Sequence, residues 1–177
     1  MKWFQTVICS VLTLSLIACD GGEARHTAHE VYDGPILYGF DIYDSFGIDS
    51  GEDHSSPLQV DPYENGGWFE LYWDVESSRD YTVVLGINDS PSMRGATIIG
   101  SDLCGAGLSC GLISTFVCRY TLDSFLGCGL VGEEAELNLE PVDHLLFEFP
   151  QPLYINIEVC DVAGGGCEPA SLPVWLY

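Results

Sequence analysis

From Pro35 to the C-terminus, apolar and polar residues alternate with a period of two. That is the spacing of a β-strand with one face in a core and the other in water. The clearest stretch sets Phe69, Leu71, Trp73 and Val75 against Trp68, Glu70, Tyr72 and Asp74. Tyr81, Val83, Leu85 and Ile87 repeat the pattern, as do Leu153, Ile155, Ile157 and Val159. An earlier strand places Ile36, Tyr38, Phe40 and Ile42 on one side, and a last one runs over Leu172–Tyr177. Between the first two strands lies a long polar loop, Asp44 to Gly67. Ser77-Ser78-Arg79-Asp80 and Asn88-Asp89-Ser90-Pro91 carry turn chemistry.

The middle of the chain is rich in Gly and Cys and patterns less cleanly. Ala96–Ile99 reads as a short edge strand, Ile113–Leu122 as a longer one, and Ser124–Gly129 as a loop or one helical turn. Ala135, Leu137 and Leu139 face inward along another predicted strand. Leu145, Phe147 and Phe149 suggest a short one, broken by Pro150 and Pro152. No stretch sustains a 3.6-residue period with caps. The expected fold class is therefore all-β: an antiparallel two-sheet sandwich of seven or eight strands over residues 35–177. Its looks are those of a fibronectin type III or immunoglobulin-like domain. The likeness is carried by the Trp73 strand, the Tyr81 strand and the final hairpin with Ser171-Leu172-Pro173-Val174. The Cys…Trp…Cys order of immunoglobulin domains is missing, because all six candidate bridging cysteines follow Trp73.

The N-terminus reads differently. Lys2 precedes an apolar run, Phe4 to Ile17, which is short and interrupted by polar residues. It ends in Leu16-Ile17-Ala18-Cys19, which resembles the lipobox of bacterial lipoproteins. That resemblance implies a signal peptide over residues 1–18, cleavage before Cys19, and diacylglycerol and acyl (palmitate-like) chains on Cys19. The implied address is the bacterial cell envelope, lipid-anchored. An Asp after the lipidated Cys, here Asp20, points in enterobacterial lipoproteins to inner-membrane retention. Residues 19–34 then form a flexible tether without periodicity.

This address changes the reading of the cysteines. Cys9 leaves with the signal and Cys19 carries lipid. Cys104, Cys110, Cys118, Cys128, Cys160 and Cys167 remain, an even number in an oxidising compartment. Three disulfides are expected. Of the possible pairings, spacing favours 104–110, 118–128 and 160–167, each around a Gly-containing turn. Zinc is disfavoured, since no C-x-x-C pair exists.

Charge narrows the partners. Beyond residue 18 there are four arginines against 27 acids, a net charge of −23. Such a surface repels nucleic acid and anionic headgroups. Partners are therefore the membrane, through the lipid, and a protein or a glycan. No cofactor is implied, with calcium the one candidate metal. Asp41, Asp44, Asp49, Glu52 and Asp53 gather hard oxygens in the acidic loop, although without EF-hand spacing. Trp68 and Tyr72 fall on the outward face of their strand, about 13 Å apart, as ligand-stacking candidates.

Catalytic patterns are weaker. Gly107-Leu108-Ser109-Cys110-Gly111 matches G-x-S-x-G, with Asp143 and His144 downstream, but no helix follows it. Glu70 and Asp74 share a strand face and are the candidate carboxyl pair for a glycosidase, although two positions do not make a cleft. His26 and His29 lie in the tether. The reading that emerges is a non-catalytic binding or structural envelope lipoprotein. A small carboxylate-dependent, glycosidase-like hydrolase is the alternative.

Overall fold

The structure, a computed structural model, describes residues 34–44, 57–108, 110, 114–132 and 137–177, all within the compact unit Asp33–Tyr177. Ten strands form two sheets: β1 (Ile36–Asp44), β2 (Leu58–Val60), β3 (Trp68–Glu76), β4 (Tyr81–Asn88), β5 (Thr97–Cys104), β6 (Thr115–Tyr120), β7 (Phe125–Leu130), β8 (Glu140–Pro141), β9 (Gln151–Asp161) and β10 (Cys167–Leu176). Sheet A runs β1-β3-β6-β7-β8 and sheet B runs β2-β10-β9-β4-β5. Short 3-10 turns at Asn65–Gly67 and Asp143–Leu145 lie between the strands, and no described helix is long and apolar enough to cross a membrane.

The core is the space between the inward faces. Phe69, Leu71 and Trp73 of β3 meet Val83, Leu85 and Ile87 of β4 and Ile155, Ile157 and Val159 of β9, all of them buried. Trp73 packs edge-on against Phe116 of β6, ring centroids 4.8 Å apart. Its indole Nε1 is enclosed without a hydrogen-bond partner, so burial of the ring holds it rather than polar contacts.

Sheet B is mixed rather than purely antiparallel. β2 pairs in parallel with β10, Leu58 beside Val174 and Val60 beside Leu176. Leu58 and Val60 point into the core while Gln59 points out. This strand lies inside the stretch expected to be one polar loop, and three residues are too few for periodicity to announce. β8 is shorter still. None of β2, β7 and β8 is an expected strand, and the described strands number ten rather than seven or eight.

A bulge corrects β1. Leu37 pairs with Val75 and Gly39 with Asp74, leaving Tyr38 as the extra residue. The alternation changes phase there, so Phe40 and Ile42 are buried while Ile36 and Tyr38 face solvent. Tyr38 Oη donates to Glu76 Oε2 at 2.8 Å.

Three further expectations fail locally. Ser124–Gly129 is neither loop nor helical turn. Residues 125–130 form β7, with Gly127 required because Asn138 O crosses where a Cβ would sit. Leu137 and Leu139 are half-buried outside any strand, and only Glu140–Pro141 pairs, with Leu126 and Phe125. Residues 145–149 do not extend either. Leu145 ends a 3-10 turn, and Phe147 and Phe149 stand 83% and 63% exposed. Gln151 Oε1 accepts both the Phe147 and Glu148 N–H groups, bending the backbone away from a ladder.

The bridges are Cys104–Cys110, Cys118–Cys128 and Cys160–Cys167. Cys118 faces Cys128 directly across β6 and β7, and Cys160 faces Cys167 across β9 and β10. All three are local, and none ties one sheet to the other. Cys118, Cys128, Cys104 and Cys110 are buried, whereas Cys167 is exposed. Under mild reductant, Cys160 and Cys167 are expected to be alkylated first, because thiolate attack requires access. Mass mapping that finds Cys118 labelled earlier would contradict this order.

Alkali should unfold the domain through its buried phenols. Burial raises Tyr81 above its ordinary 10.0, with the Trp73 indole, short of hydrogen-bond geometry, pulling weakly the other way. Burial likewise raises Tyr120, opposed by Ser124. A phenol held protonated by the fold stabilises it below the unfolded pKa, and that stability is lost as pH rises through the raised folded value. Melting temperature should therefore fall from about pH 10 upward. A flat profile to pH 11.5 would contradict it.

Candidate functional site

Strand register builds the outer face of sheet A in rows. Asp41, Tyr72 and Thr115 lie side by side across β1, β3 and β6. The next row holds Tyr43, Glu70 and Val117, and the next sets Trp68 beside Arg119 and Gly127. Tyr43 thus lies diagonally between Trp68 and Tyr72, about 7–8 Å from each by sheet geometry. Tyr72 is 41% exposed. Trp68 is half-buried, with the Arg119 guanidinium 5.2 Å from its ring centre. Both stacking candidates therefore share the outward face, one open and one capped. Tyr43 and Arg119 join them only through cross-strand pairing, which periodicity along a single strand does not reveal.

The face continues past Arg119 into a groove of about 380 Å³ lined by Pro62, Gly66, Arg119, Thr121, Leu122, Asp123, Phe125 and Leu139. Its two walls are the turn before β3 and the turn between β6 and β7. Gly67 is pressed against the Tyr120 carbonyl, where no Cβ fits, and has φ +74°. The groove lies at the end of the sandwich where β1, β6 and β10 finish. The chain enters at the opposite end, where Gly34 abuts Gly165 of the β9–β10 turn.

A second cleft, about 300 Å³, lies between the edge strand β5 and the Cys128–Leu130 end of β7 and contains Asp102, Asn138 and Glu140. Asp102 Oδ1 accepts the Leu103 N–H at 2.6 Å, and Glu140 Oε1 accepts from Asn138 Nδ2 at 2.7 Å. Sequence pattern gave no reason to join Asp102 to Glu140, because they sit on different sheets.

Other candidates are not assembled. Glu70 and Asp74 project from the same side of one strand with Tyr72 between them, so they cannot face each other across a substrate. His144 Nε2 lies 3.1 Å from Thr97 Oγ1, and Cys110 is bridged to Cys104. Ser109 lies outside the described residues, as do Cys19, Asp49, Glu52, Asp53, His26, His29 and the side chain of Asp44. The calcium reading of the acidic loop and the lipid attachment therefore fall outside the described part of the chain. The potential ligand atoms of Glu158, Cys160 and Cys167 lie within 4.8 Å of one another, but the two sulfurs are committed to a disulfide.

The class defined by these features is an all-β two-sheet sandwich carrying three disulfides. No known protein family matches the chain, and no curated protein is similar to it.

Removing the cap tests the site's geometry. Arg119→Ala should uncover Trp68 at a stability cost of about 0.5–1 kcal/mol, the usual worth of an exposed cation–π contact. Acrylamide should then quench Trp68 emission more strongly, against a Trp68→Phe reference. Unchanged quenching would place the guanidinium elsewhere.

Proposed function

We propose that this protein is a membrane-anchored envelope lipoprotein whose sandwich is a non-catalytic binding domain, with the outer face of sheet A as its contact surface. The observation that carries the reading is Tyr72, an open aromatic ring bordered by Asp41, Glu70, Asp74 and Thr115. An aromatic ring can stack on the C–H face of a sugar while neighbouring carboxylates and hydroxyls take its hydroxyl groups. The same face could receive a protein partner, with Tyr72 as its anchor. A net charge of −23 disfavours polyanionic ligands, so a neutral glycan is the preferred occupant.

The address rests on Leu16-Ile17-Ala18-Cys19, with cleavage before Cys19 and lipid on its thiol and amine. Asp20 favours retention at the inner membrane.

The immunoglobulin likeness has partial support. β10-β9-β4 follow the order of an immunoglobulin G-F-C sheet. In the other sheet, β6 lies beside β3 and precedes β7, whereas the order A-B-E-D requires the outer strand to come earlier in the chain. The bridges also run within sheets rather than between them.

A second reading draws on Asp102 and Glu140 in one cleft: a carboxylate-dependent hydrolase of the glycosidase type. Both carboxylates are already engaged by neighbouring donors, which ranks this reading below binding.

Native affinity electrophoresis in gels containing neutral β-glucan or galactomannan should retard the wild-type domain, and Tyr72→Ala should run at least threefold less retarded. Equal mobility of both proteins in every gel removes the glycan reading. Glycan cleavage lost in Asp102→Asn would instead favour the hydrolase. For the address, Cys19→Ser should shift the protein from the detergent to the aqueous phase of a Triton X-114 partition. Unchanged partition would contradict lipidation.

A further inference from the structure

We infer that the groove beyond Arg119 is a separate small-ligand site that takes the carboxylate of an apolar molecule, such as an aryl or branched carboxylate or the C-terminus of an apolar peptide. Its walls are Pro62, Leu122, Phe125 and Leu139. Leu122 remains 62% exposed and Phe125 38%. A ligand seated between them would bury apolar surface that folding leaves exposed.

Arg119 supplies the polar contact. It is the one cation lining either cleft among the described residues. Among the described residues its side chain contacts the Trp68 ring, and no ion pair with a carboxylate is seen, although the chain is strongly acidic. The Trp68 ring holds one side of the guanidinium. A guanidinium packed in this way keeps its in-plane N–H donors available, and those match the two oxygens of a carboxylate.

Both walls are fixed in advance. Tyr63 N donates to Asp61 Oδ1 at 2.8 Å, and Gly67 N to Glu64 O at 3.0 Å. On the opposite wall Phe125 N donates to Thr121 Oγ1 at 3.2 Å, and Val142 N to Ser124 O at 2.9 Å. Walls ordered before binding reduce the entropy lost on complex formation.

Asp123, also on the groove, repels a second negative charge, as does the molecule as a whole. The ligand class is therefore a monocarboxylate rather than a polyanion. The long-range field and the local contact act in opposite directions. Added salt should screen the field first, so affinity should hold or rise between 20 and 150 mM salt, unlike a simple exposed ion pair.

The site does not depend on the sheet-face reading. The test is an NMR titration of the full domain with N-acetyl-L-phenylalanine, its neutral amide, and phenethylamine, following the Trp68 indole N–H and the backbone of residues 119–125. The acid should bind at least tenfold more tightly than the amide. Arg119→Gln should abolish that difference, Phe125→Ala should weaken both ligands, and Tyr72→Ala should change neither. Thermal melts confirm that each variant folds, and Leu122→Ser serves if Phe125→Ala does not. Equal binding of acid and amide, tighter binding of the amine through Asp123, or no shift at these residues would each overturn the assignment. Loss of glycan retardation in Tyr72→Ala with acid binding intact would separate the two sites.

Discussion

Each sheet of this domain has one apolar face, and only the other sheet can cover it. That mutual burial is the constraint on which everything else depends, because the three disulfides do not share the task. They staple neighbours, β6 to β7, β9 to β10, and the end of β5 to the segment after it. They restrict the unfolded chain and hold local register. The union of the sheets rests on the side chains around Trp73, Phe116, Leu85 and Ile157. Trp73 shows how far this goes, since its indole N–H is enclosed without a partner, a polar cost accepted so that the ring can fill the space.

Committing one face of every strand inward leaves the other faces free for different uses. On sheet B the outer face is partly covered by its own chain. The β4–β5 connection folds over Gly86, where Met93 and Ala96 approach too closely for any Cβ. Asn156, buried beneath it, donates to the Ser90 carbonyl and accepts from the Ser171 hydroxyl at 2.5 Å. The outer face of sheet A instead keeps Tyr72 open. This asymmetry is the reason the contact surface is proposed on sheet A. The acids around Tyr72, namely Asp41, Glu70 and Asp74, give this face a negative field, which by general electrostatics opposes anionic groups.

What the sequence made legible follows the physics of each element. β3, β4 and β9 read directly, because in each the apolar core side chains recur at every second residue along a strand of eight or more positions. The favoured cysteine pairings read from spacing, because a bridge across a hairpin needs a short loop. β2 did not read, since two inward residues carry no period. β7 did not read either, because its glycines and cysteine answer to a crossing carbonyl and a bridge rather than to strand propensity. The phase of β1 turned on the one extra residue at Tyr38. At the candidate site, the outward placement of Trp68 and Tyr72 was legible from alternation. Tyr43, Arg119 and the groove were not, because lateral neighbours are set by register between strands far apart in sequence.

The central claim is that register across β1, β3 and β6 makes sheet A's outer face a recognition surface. Backbone and side-chain shift mapping during titration with a soluble neutral oligosaccharide tests it most directly. Perturbations gathered on Asp41, Tyr43, Glu70, Tyr72 and Thr115 are the predicted result. Perturbations centred on Asp102 and Glu140, or on no contiguous face, would contradict it.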